Sequence, residues 1–139
     1  MNFTLDTFVW IEYFEGSKSG EVIKQLLEDG IHNLFTPSIA LAELSDAVVK
    51  GKVRADWSDV IRFVALNTHI KEIDSEIAGE SGIIKNNLRK KHPNFGLIDA
   101  IVLATARKLK SLLLTGDEHL TGEADVIDIK KEDYLGKFK

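Results

Sequence analysis

The chain reads as an α/β protein, a three-layer α/β/α sandwich built on a small, mainly parallel sheet. Three observations predict it. Short strand-like runs alternate with helix-length segments along the sequence, the pattern of a sheet covered by helices. The chain has 139 residues, 44% of them hydrophobic, enough for a single domain spanning 1–139 with a real core. Two acids, Asp6 and Asp117, fall immediately after the first and fourth predicted strands, on the carboxyl edge where ligands gather in such sheets.

The elements follow in order. Asn2 to Leu5 reads as a short strand and Thr7 to Phe14 as a helix, before a turn over GSKSG at Gly16 to Gly20. Val22, Ile23, Leu26 and Leu27 make an apolar stripe on a second short helix. NLFT is a strand ending at Pro37, a residue kept out of central ladders. Helices are expected from Ser38 to Lys50 and from Asp56 to Leu66, then a β-like run from Thr68 to Ile73. Ser75 to Lys91 is a helix weakened at Gly79 and Gly82 and broken by Pro93. Leu97 to Leu109 is an apolar helix, Ser111 to Thr115 a buried strand and Val126 to Ile129 a last strand. The KKEDYLGKFK tail reads as a solvated end.

Composition narrows the chemistry. Without cysteine there are no disulfides, thiolate metal sites or cysteine nucleophiles, so a metal would have oxygen or imidazole ligands, which favours Mg²⁺ or Mn²⁺. No apolar run approaches the ~20 residues that span a bilayer, and no signal peptide is apparent, so a soluble cytoplasmic protein without a membrane partner is expected. A net charge of −4 argues against bulk electrostatic binding of nucleic acid but leaves room for a local basic patch.

Four carboxylates stand out: Asp6, Glu43, Asp99 and Asp117. Each sits beside an apolar run at an expected end or buried face of an element, without a nearby cation; the nearest Lys or Arg to Asp6 is Lys18. Asp99 lies in GLIDAIVLATA, where every other residue is apolar, Gly or Thr. A buried carboxylate is costly unless paired, protonated or metal-bound, so four converging acids would take a divalent cation as their partner. Each has an ordinary alternative. Asp6 suits a helix N-cap, Glu43 a wet helix face, and Thr115 to Glu118 match a capping box around Asp117. Ala40 and Ala47 flank Glu43 on its helix face and would leave room for a ligand. His119 follows Asp117 closely enough to be a ligand but reads more often as a solvent-facing loop residue, Asp46 reads as exposed helix charge, and Trp10, Tyr13 and Phe14 as core or interface. KNNLRKKH, with Lys85, Arg89, Lys90 and Lys91, is either a solvated helix end or a rim that grips phosphates; Arg107, Lys108 and Lys110 form a second basic group.

LDTFVWIEYF, PSIALAEL, GLIDAIVLATA and LLLTGDEHL, in that order across nearly the whole chain, together resemble the PIN-domain ribonucleases, and among them the VapC-like toxins. The resemblance places the family's acids on Asp6, Glu43, Asp99 and Asp117, and its hydroxyl positions on Thr7 and Thr115. It implies a metal-dependent endoribonuclease acting on RNA. Asp6, Glu43 and Asp99 would be the principal shell for Mg²⁺ or Mn²⁺, with Asp117 completing a second site or orienting the water and Thr115 supporting it. Such ions acidify water and stabilise charge in phosphodiester displacement, leaving 3′-hydroxyl and 5′-phosphate ends. An antitoxin protein partner and a homodimer are implied as well. Two other readings stay open: a receiver-like phosphoacceptor module, which wants paired acids in the first loop and a late Lys, and a non-catalytic RNA-binding PIN domain.

Overall fold

The structure, a computed structural model, describes residues 1–131. From residue 132 onward the expected solvated tail lies outside the described residues. The elements run β1 (Asn2–Leu5), α1 (Thr7–Glu15), α2 (Lys18–Asp29), β2 (Asn33–Pro37), α3 (Ser38–Val49), α4 (Trp57–Asn67), β3 (His69–Lys71), α5 (Ser75–Leu88), α6 (Leu97–Lys108), β4 (Leu112–Thr115) and β5 (Val126–Asp128).

Local chemistry sets the boundaries that periodicity left loose. Gly16 ends α1 in the left-handed region at φ 73, and its N–H reaches Glu12 and Tyr13 carbonyls. Ser17 caps α2 by accepting from the Gly20 N–H at 3.2 Å, so α2 absorbs most of the expected GSKSG turn. A Cβ on Gly20 would stand 2.4 Å from the Glu12 carbonyl oxygen, so the α1–α2 approach requires glycine there. Asp74 caps α5 through Ile77 N–H at 2.8 Å, and Ile77, Ser81, Ile84 and Leu88 form its buried face despite Gly79 and Gly82. This helix stops at Leu88, three residues short of the expected end: the Lys90 and Lys91 N–H groups turn to the Asn87 and Leu88 carbonyls three residues back, closing a tight turn before Pro93. Pro37 is the last residue of β2, in register with Lys71 of edge strand β3, where its missing N–H is tolerated.

All five strands are parallel, in the order β3-β2-β1-β4-β5. Right-handed crossovers explain the layering. The chain steps from β1 to β3 in one direction, which stacks α1–α4 on one face, and then returns to β4, which puts α5 and α6 on the other. Two cores result. One gathers Phe3, Leu5, Trp10, Ile23, Leu44, Val64 and Leu114; the other gathers Ile77, Ile84, Phe95, Leu103, Leu113 and Leu120. Adjacent residues Leu113 and Leu114 point into opposite cores, as strand alternation demands. Trp10 packs with Tyr13, Phe14 and Phe63, so the α1 aromatics belong to the core.

This order has one topological consequence. Strand order reverses between β1 and β4, and such a switch point opens a crevice at the carboxyl ends of both strands. It also departs from the 2-1-3-4-5 order of receiver domains, which counts against the phosphoacceptor reading.

Candidate metal centre

Asp6 and Asp117 leave the sheet at that crevice. The register Leu5 opposite Leu114 sets Asp6 beside Thr115, and Asp6 N–H donates to the Leu114 carbonyl at 3.2 Å. Asp6 is the N-cap of α1: its Oδ1 accepts from the Thr7 N–H at 2.7 Å. Its Oδ2 accepts from Thr115 Oγ1 at 2.7 Å. The cap and the cluster position are therefore one arrangement, not alternatives. Thr115 Oγ1 also accepts from the Asp117 N–H at 3.1 Å, so one fully buried hydroxyl joins two acids.

Glu43 enters from α3, and Thr7 Oγ1 donates to its Oε1 at 2.8 Å. Ala40 is buried against the core, whereas Ala47 borders the space beside Glu43, a groove of about 520 Å³ also lined by Ile11, Ile39, Ile98, Lys50 and Lys52. Asp46 is exposed and paired with Lys50 at 2.8 Å, outside the cluster. Asp99 comes from the first turn of α6. It is half-buried, and Leu97 and Ile98 before it are 49% and 42% exposed, so its setting is not apolar on every side as expected. Asp117 Oδ1 accepts from the His119 N–H at 2.9 Å in a local turn. No helix follows, so the expected capping box does not form.

Electrostatics reports the convergence. Burial pushes the Asp6 carboxyl up to about 6; the Thr115 and Thr7 hydrogen bonds oppose this, and Glu43 and Asp117 add to it. Asp99 is pushed up to about 7, first by burial and then by the charges of Asp117, Asp6 and Glu43, against an opposing effect of His119. Among the described residues, none of the four acids pairs with a Lys or Arg. The basic groups expected nearby are committed elsewhere. Arg107 pairs with Glu123 and Asp125, Lys108 with Asp74 and Glu76, and Arg89 Nε donates to the Phe95 carbonyl.

The tightest set of possible ligands is not the one the sequence suggested. One ligand atom each from Asp99, Asp117 and His119 lie within 4.8 Å of one another, and Asp6 and Glu43 stand outside this set. Oxygen donors plus one imidazole, uncompensated by Lys or Arg, fit a small divalent cation. His119, whose sequence position favoured a solvent-facing loop over a ligand, stands in this set. Its only signal was its position two residues after Asp117 in a turn-forming stretch.

Thr115→Val tests the buried hydroxyl. The shapes match, but valine can neither donate to Asp6 nor accept from Asp117. The expected result is a loss of about 1–3 kcal/mol in stability, read by denaturant melts. A stability equal to wild type would mean that the hydroxyl does not organise the two acids.

Comparison with known proteins places this geometry. A DNA-bound VapBC from Salmonella typhimurium superposes with a TM-score of 0.72 at 18% identity, covering 93% of this chain and 98% of its own. A toxin–antitoxin complex from Klebsiella pneumoniae gives 0.67 at 25% identity, covering 91% and 96%. VapC20 of Mycobacterium tuberculosis, a sarcin–ricin loop cleaving toxin, gives 0.64 at 15%, covering 84% and 90%. No curated protein matches the chain. The PIN domain family model matches residues 3–122, nearly the whole described fold and all four acids, and the chain belongs to the PIN domain family.

Proposed function

We propose that the chain is a divalent-metal-dependent endoribonuclease and the toxin of a toxin–antitoxin pair. The carrying observation is the convergence of Asp6, Glu43, Asp99 and Asp117 at the β1–β4 switch point without a Lys or Arg partner among the described residues. The names of the structural neighbours, toxin–antitoxin complexes and an RNA-cleaving toxin, support the RNA substrate and the antitoxin partner.

Asp99 and Asp117, with Asp6 and Glu43 behind them, would hold Mg²⁺ or Mn²⁺, which when bound supplies Lewis-acid stabilisation and an acidified water. The chain's own residues position the rest. Thr115 fixes Asp6, and Thr7 fixes Glu43, so the carboxylates meet their ligand without first reorganising. The groove beside Glu43 offers Lys50 and Lys52 for backbone phosphates and isoleucine walls for bases. Exposed Lys90 and Lys91 lead towards the same edge, where the His92 and His119 rings lie 5.9 Å apart. In the reaction water adds at phosphorus and the P–O3′ bond breaks, giving 3′-hydroxyl and 5′-phosphate ends. No helix among the described residues is long and apolar enough to cross a membrane.

Purified protein is expected to cleave labelled single-stranded RNA with Mg²⁺ or Mn²⁺ and to stop in excess EDTA. Undiminished cleavage in chelator would overturn the metal requirement, and no cleavage of any RNA with either ion would overturn the nuclease. A homodimer belongs to the same reading, supported by Ile83, Leu97 and Ile98, which are 58%, 49% and 42% exposed. Sedimentation is expected to give a dimer at micromolar concentration; a monomer throughout would remove that part alone.

A further inference from the structure

We propose that His119 is a nitrogen ligand on the Asp99–Asp117 side of the cation site and gives that site a preference for Mn²⁺ over Mg²⁺. The inference rests on the acid cluster being a cation site, and adds the identity of the ion and the residue that selects it.

Geometry places the ring. Asp117 Oδ1 accepts from the His119 N–H at 2.9 Å, the Leu120 N–H donates to the Asp117 carbonyl at 3.0 Å, and the Leu120 side chain is fully buried. Residue 119 is thereby pinned beside Asp117. The ring then stands with Nδ1 3.9 Å from Asp117 Oδ1. That is beyond hydrogen-bond reach. Among the described residues neither ring nitrogen has a hydrogen-bond partner, although a carboxylate acceptor is this close. His92 lies across from it, ring centres 5.9 Å apart and planes at 35°, which restricts how far the His119 ring can swing away. A nitrogen lone pair and two carboxylates thus face a common space, with ligand atoms within 4.8 Å of one another.

Chemistry then decides between ions. Mg²⁺ takes oxygen ligands and gives up its waters reluctantly, so an imidazole adds little to its binding. First-row transition ions gain more from a nitrogen donor than Mg²⁺ does, and among them Mn²⁺ stands nearest to Mg²⁺ in its preference for carboxylates. Replacing one oxygen donor by His119 in an otherwise carboxylate set therefore favours Mn²⁺. The two lysines of the groove lie on the Glu43 side and leave this corner to the acids and the two histidines.

The test uses the full chain loaded with Mn²⁺. Pulsed electron paramagnetic resonance is expected to detect nitrogen coupled to the ion in wild type and in His92→Gln, and none in His119→Gln. By titration calorimetry, His119→Gln should lose about tenfold or more in Mn²⁺ affinity, with Mg²⁺ affinity unchanged within about twofold. Asp117→Asn should lose affinity for both ions. Mn²⁺ bound without nitrogen coupling, coupling that vanishes in His92→Gln instead, or unaltered Mn²⁺ affinity in His119→Gln would overturn the role of His119 and leave the carboxylate site standing. Failure of wild type to bind either ion would overturn both. If His119→Gln folds poorly, the wild-type and His92→Gln spectra together decide.

Discussion

Asp99→Asn is expected to lower the rate of RNA cleavage at least about a hundredfold, equivalent to about 2.7 kcal/mol of transition-state stabilisation, in a protein that still folds. Asp99 is the acid on which the others converge: Asp117, Asp6 and Glu43 all raise its pKa, and its carboxylate belongs to the tightest ligand set. Asparagine keeps the size and removes the charge. The substitution sits in the first turn of α6 beside exposed Leu97 and Ile98, so it opens no cavity in the core. Single-turnover cleavage measures the chemical step, and circular dichroism checks the fold. Asp59→Asn is the matched control, since Asp59 is likewise an acid in the first turn of a helix, α4, yet is exposed and outside both the cluster and the groove. It should cleave at the wild-type rate. Near-wild-type cleavage by folded Asp99→Asn would remove the acid cluster from the chemistry.

The fold was legible because its determinants are local. Apolar runs such as NFTL and LLLT alternate with helical stripes, and that alternation carries the parallel sheet without reference to tertiary contacts. Boundaries failed where one polar residue outweighed composition. Ser17 turned an expected turn into a helix start, and i→i−3 bonds from Lys90 and Lys91 replaced the last turn expected of α5. The four acids were visible as carboxylates in apolar surroundings. Their geometry was not, because it depends on the register of β1 against β4 and on hydroxyls that serve two partners. The placing of His119 was hidden for the same reason: nothing in TGDEHL shows that its ring lies near Asp99, twenty residues away along the chain and on another element. Arg89, which reads as either a phosphate contact or a solvated helix end, also has a structural partner that the sequence does not show, since its Nε donates to the Phe95 carbonyl and closes the α5–α6 connection.

The metal-free protein should become more stable, not less, when Asp6 is replaced by asparagine at pH 7. Asp6 is buried, and its pKa is raised from 3.8 to about 6; that of Asp99 is raised to about 7. Between about pH 4 and 7 the folded state therefore binds more protons than the unfolded chain, so stability falls as pH rises through that window. The contribution is complete below the ordinary carboxylate range and lost above the raised values. For Asp6 the shift corresponds to roughly 3 kcal/mol, while half-buried Asp99 contributes less because solvent screens it. Asparagine removes the ionisation of residue 6 and, with it, one of the charges acting on Asp99. It also preserves the cap, since Asn serves an N-cap as well as Asp, and its oxygen can still accept from the Thr7 N–H. The metal-free melting temperature at pH 7 should thus rise by about 5 °C or more in Asp6→Asn. Near pH 4, where Asp6 is already protonated in the folded state, the two proteins should melt together. Saturating Mn²⁺ should reverse the order, because an ion that binds only the folded state stabilises most the protein that binds it best. Calorimetric melts across pH 4–7, with and without Mn²⁺, read all three outcomes. A mutant less stable than wild type at pH 7 without metal, or an equal Mn²⁺ shift in both, would mean that Asp6 does not share its charge with a common cation site.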